Sequence, residues 1–143
     1  MNRFALAIVV SLTLARAASA EDAKKIDFVK DVQPIFKASC VKCHGVDPDK
    51  PKKKASAGLW LDDKAAAFKG GKSGVSIVPG NAKDSLLFKL LVGPATVHVE
   101  DDDKELAPMP KVKKWEKWKA LPSDQVATIR LWIDQGADWP AAH

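Results

Sequence analysis

The sequence predicts an all-α fold, a small domain of several short helices wrapped around one covalently bound haem. Three observations predict it. Cys40-Val41-Lys42-Cys43-His44 is a C-x-x-C-H run, the spacing by which two cysteines and a histidine hold a c-type haem. Apolar residues recur at helical intervals in three stretches, led by Ile26–Phe36, Leu86–Leu91 and Val126–Ile133. No alternation of strand and helix patterns surrounds the cysteine pair, which argues against a dithiol redox motif.

Of the 143 residues, residues 1–20 read as a secretory signal peptide. Arg3 forms a basic start, Phe4 to Leu14 an apolar run, and Ala18-Ser19-Ala20 a cleavage site. That run is too short for a mature spanning helix, so no transmembrane segment is expected after cleavage. Residues 21–143 then form one domain, and export places it in the periplasm. Both cysteines lie in the motif, leaving none for a structural disulfide. Covalent haem takes the place of staples and of much of the core in so small a domain. Without Arg3 and Arg16 of the leader the formal charge falls from +5 to +3, too weak a bias to imply nucleic acid.

Within the first helix Asp31 is the expected N-cap, Pro34 is tolerated in the first turn, and the run ends in Cys40. On a helix, residues three and four apart share a face, so Cys40 and Cys43 reach the haem vinyl groups while His44 points at iron. A zinc site would need four ligands, and His98 and His143 stand far from the cysteines. Gly45 to Ala57 reads as an exposed loop whose Lys52-Lys53-Lys54 run is solvated. Trp60 is either a shield for the haem edge or a core indole. Asp62 caps a short helix over 63–69. Gly71-Lys72-Ser73 is no phosphate loop, because Ala66 stands where that motif needs glycine. Asn81 and Asp84 form a capping box for a helix whose buried face is Leu86, Leu87, Leu90 and Leu91, and Gly93-Pro94 stops it.

A long loop follows, with the acidic cluster Glu100-Asp101-Asp102-Asp103 and then Ala107-Pro108-Met109-Pro110. Met109 is the only methionine left after leader removal, and two prolines flank it. Opposite a histidine it makes the His/Met pair that raises reduction potential in cytochromes c. His98 is its rival as sixth ligand. Lys111 to Lys119 alternates lysine with Trp115 and Trp118, an amphipathic surface segment or a docking patch for an acidic redox partner. Ser123 caps the last helix, Asp124 suits its positive end, and Gly136 closes it.

These stretches resemble the Planctomycete-type cytochrome c domain, within the wider class I cytochrome c fold. The likeness rests on DFVKDVQPIFKASCVKCHG, AGLWLDD, GGKSGVSIVPGNAKDSLL, the APMP loop and SDQVATIRLWIDQGADWP. It implies that Cys40 and Cys43 bind haem covalently, that His44 is the proximal ligand and Met109 the distal one. The segment KVKKWEKWKAL departs from the family, whose loop after the methionine is shorter. The implied function is single-electron transfer between redox proteins by a monomeric carrier that is not an enzyme. The competing expectation is a haem enzyme or gas sensor with an open or displaceable sixth iron site.

Overall fold

In a computed structural model of the chain, the residues described are 24–99, 102–111 and 118–141. The leader, the segment 112–117 with Trp115, the acidic pair Glu100-Asp101, and His143 lie outside them. Among the described residues the architecture is five short α-helices and one two-stranded antiparallel sheet. At 40% helix and 10% strand, the fold is mixed, and the all-α expectation is corrected.

A π-helical turn over Phe28–Val32 leads into α1, Gln33–Ser39. The cap is Asp27, not Asp31: its carboxylate accepts the Lys30 N–H at 2.9 Å. Asp31 answers from inside the turn by accepting the Asp27 N–H at 2.9 Å. This reciprocal pairing satisfies donors that a helix start leaves free. Pro34 then falls in the first turn of α1, where its missing N–H costs little. One further turn, α2 over Val41–His44, closes as the Cys43 and His44 N–H groups donate to the Cys40 carbonyl at 3.0 and 2.8 Å.

Helix α3, Lys64–Lys69, is capped by Asp63, whose carboxylate accepts the Ala66 N–H at 2.7 Å. The cap expected at Asp62 is thus displaced by one residue. Helix α4, Leu86–Val92, buries all four of its predicted leucines. Asn81 and Asp84 do pair, with the Asp84 N–H donating to Asn81 Oδ1 at 3.1 Å. They shape the turn ahead of α4, not its cap. Ser85, fully buried, fixes that turn by donating to the Asn81 carbonyl at 2.9 Å and accepting the Val78 N–H at 2.9 Å.

The sheet replaces the expected loop. Strand β1, Ala95–Val99, pairs with β2, Asp102–Leu106, in the register Ala95↔Leu106 through Val99↔Asp102. Helix α5, Ser123–Asp134, starts one residue earlier than expected, with Pro122 in the cap position and Ser123 already helical. Gly136 ends it at φ +101°, a left-handed conformation that a side chain resists.

Aromatic packing joins the two ends of the chain. Phe28 stacks on Trp139 with centroids 4.0 Å apart, and Trp132 meets Phe28 and Phe36 at 5.4 and 5.9 Å. The last helix therefore packs on the first, as expected. Trp132 satisfies its buried indole N–H on the Asp138 carbonyl at 2.8 Å. That core stands behind α1 and fixes the direction in which α2 presents the C-x-x-C-H run.

Candidate haem site

Beside α2 opens a cavity of about 410 Å³. Its wall carries Cys40, Cys43 and His44, Met109, and Leu86, Leu87, Leu90 and Leu91 of α4. All four residues expected to hold haem are therefore brought to one apolar cavity. His98 is not among them: it lies exposed on β1, where Nδ1 stands 2.9 Å from Asp103 Oδ1 of the opposite strand. As a rival sixth ligand it is excluded by position.

His44 is oriented by backbone. Its Nδ1 lies 3.1 Å from the Ser56 carbonyl oxygen. A carbonyl can only accept, so Nδ1 carries the proton and Nε2 is left with a free lone pair. Two left-handed residues, Ala57 at φ +53° and Gly58 at φ +67°, turn the chain there and aim that carbonyl. Burial holds the His44 pKa below its ordinary value. Hydrogen bonds from the ring to the backbone at Ser56 and Leu59 oppose this, and the Lys53 charge adds to it. The ring is therefore a neutral imidazole at neutral pH, the form that binds a metal.

The cysteines differ. Cys40 is buried and Cys43 exposed. Burial, with a smaller push from Cys43, raises the Cys40 thiol to about 12, so in the folded chain it stays protonated and a weak nucleophile.

Across the cavity Met109 is half-buried, and its N–H donates to the Leu90 carbonyl at 2.7 Å. That bond fixes the distal loop to the end of α4. Leu59 and Leu61 line the cavity while Trp60 between them does not. Alternate residues of extended chain face opposite ways, so Trp60 is no shield for this cavity. Leu106, Ser73 and Lys111 also line it, and sequence reasoning missed all three. Among the described residues no group of three or more His, Cys, Asp or Glu could hold a metal ion, so the zinc reading has no donor set there.

The chemistry of this donor set fits haem: two thiols at vinyl spacing, an imidazole nitrogen, a thioether sulfur and leucine walls. Residues 40–110, from the first cysteine to the proline after Met109, match the family model of Planctomycete cytochrome C. Residues 40–110 form a Planctomycete-type cytochrome c domain. This cytochrome family implies a covalently bound haem. Neither the curated proteins nor the solved structures provide a match to the chain. No helix among the described residues is long and apolar enough to cross a membrane.

Proposed function

We propose that the protein is a monohaem c-type cytochrome that carries single electrons between redox partners outside the cytoplasm. The observation that carries this is the single cavity wall shared by Cys40, Cys43, His44 and Met109. Bound haem supplies the one-electron chemistry at iron.

The chain does the rest. Cys40 and Cys43 are the residues that would hold the haem covalently, each thiol supplying the sulfur of one thioether. Because the buried Cys40 thiol is held protonated, attachment belongs before the chain closes around it. His44 would offer Nε2 and Met109 its sulfur as ligands to the iron, and with both bound no substrate would need to reach the metal. Thioether ligation and the leucine walls, which exclude water, both favour the less charged ferrous form and raise the potential. The protein is accordingly a carrier and not an enzyme.

Export by the leader at 1–20 suits this chemistry, because haem attachment to C-x-x-C-H in bacteria takes place outside the inner membrane. Electrons leave where Cys43 is exposed. Lys42, Lys50, Lys52, Lys54 and Lys72 are exposed on the surrounding turns, a surface suited to acidic redox partners.

Optical spectra of the ferric and ferrous protein, made with a haem-c maturation system, test the reading. Covalent low-spin haem with the weak far-red band of methionine sulfur on ferric iron is expected. A high-spin ferric spectrum that responds quickly to cyanide would replace it with an open-site haem enzyme or gas sensor. Absence of covalent haem would remove its foundation.

A further inference from the structure

Charge stands close to the proximal histidine on a loop that is no part of the C-x-x-C-H run. The Lys50 N–H donates to the Asp47 carbonyl at 3.0 Å and the Lys53 N–H to the Lys50 carbonyl at 2.9 Å. These turns coil the chain back over α2. There Lys53 Nζ donates to the carbonyl of Lys42, between the two cysteines, at 3.1 Å. The same ammonium lies 3.8 Å from Asp47 Oδ2. The Asp47 side chain is only 5% exposed, against 39% for Lys53, and its other oxygen accepts the Asp49 N–H at 3.1 Å. Three residues beyond Lys53 comes Ser56, whose carbonyl orients His44.

Lys53 is thus unlike Lys52 and Lys54, its neighbours in an otherwise solvated run. A carboxylate this buried is costly unless a cation and hydrogen bonds compensate it, and both are supplied here. The Lys53 charge also reaches the His44 ring, where it is one of the influences lowering that group's pKa.

We propose that Lys53 and Asp47 are positioning residues of opposite sign that set the haem reduction potential from the proximal side. The inference rests on the reading of His44 as an iron ligand. Reduction adds one negative charge at the iron. A nearby cation favours the reduced form and raises the potential, while a nearby anion lowers it. Asp47 is the drier of the two, so its field is screened less.

The test is a mediator-poised redox titration of wild-type holoprotein and the holo variants Lys53→Met, Lys53→Arg and Asp47→Asn, each with its ferric spectrum. Asp47→Asn is expected to shift the one-electron reduction equilibrium about tenfold toward ferrous, which is about 59 mV upward. Lys53→Met is expected to shift it about threefold toward ferric, and Lys53→Arg, which keeps the charge, to stay near wild type. Opposite signs separate an electrostatic role from mere loosening, which would move both variants the same way. Shifts of the same sign, or none, with the low-spin spectrum retained, overturn the inference. Should Asp47→Asn fail to mature, equal potentials in the Met and Arg variants of Lys53 also overturn it, and a fall confined to Met supports it. A wild-type spectrum lacking His/Met ligation would instead defeat the underlying reading, whatever the potentials.

Discussion

The two sides of the haem cavity are built differently. On the proximal side the hydrogen bonds around His44 come from residues close in sequence. The His44 carbonyl accepts the Leu61 N–H at 2.6 Å, His44 Nδ1 meets the Ser56 carbonyl at 3.1 Å, and Asp62 accepts the Val46 N–H at 2.6 Å. On the distal side Met109 arrives from a remote part of the chain and is tied by one backbone bond, to Leu90 at 2.7 Å. His44 is therefore preorganised by a dense local network, while Met109 is placed by a loop closing on a helix end. Losing the first should damage the holoprotein itself, and losing the second should alter only its spectrum and potential.

The sharpest break in this comparison is between two alanine variants. His44→Ala is expected to lose most of the covalently loaded protein, read as haem stain on denaturing gels. Met109→Ala is expected to keep covalent haem while ferric iron turns high-spin. Equal loading in both variants would show that the two sides do not differ, and an unchanged Met109→Ala spectrum would remove Met109 as a ligand.

A smaller effect tests the local network alone. At Gly45 an added Cβ would lie 2.7 Å from Val41 Cγ1 and 2.8 Å from the Asp62 carboxylate, closer than packed atoms tolerate. Gly45→Ala is expected to destabilise the holoprotein by about 1–3 kcal/mol in denaturant unfolding. A change near zero would mean that the Asp62 contact is soft. The smallest effect belongs to the hairpin. The His98–Asp103 pair is about 70% exposed on both sides, so His98→Ala should change stability by no more than about 0.5 kcal/mol. It should also leave the spectrum alone, whereas a lost far-red band would tie the hairpin to the iron.

What the sequence disclosed follows the same division. The motif at Cys40–His44, the leucine face of α4 and the apolar face of α5 each carry a side-chain pattern, and patterns can be read. The Ser56 carbonyl that orients His44 left no trace, because every residue has a carbonyl and only the left-handed Ala57 and Gly58 turn this one inward. Asp27 and Asp31 are chemically alike, so their order as cap and partner depended on the π-turn between them. The hairpin was missed because Asp102, Asp103 and Glu105 are poor strand formers. Thr96, Val97 and Val99 hinted at a strand, and backbone pairing with β1 overrode the acidic bias of β2. Lys53 looked like its neighbours until its ammonium was seen on the Lys42 carbonyl.

The bond from the Met109 N–H to the Leu90 carbonyl has a further consequence. It brings the start of β1 and the end of β2 back to the same helix terminus. The length of the excursion between them is nearly neutral, since doubling a loop costs only about 0.6 kcal/mol. Beyond Leu106, which lines the cavity, the outer hairpin is thus a natural graft point. A peptide tag or a second folded module spliced between β1 and β2 would ride on the protein while the cavity stayed as it was.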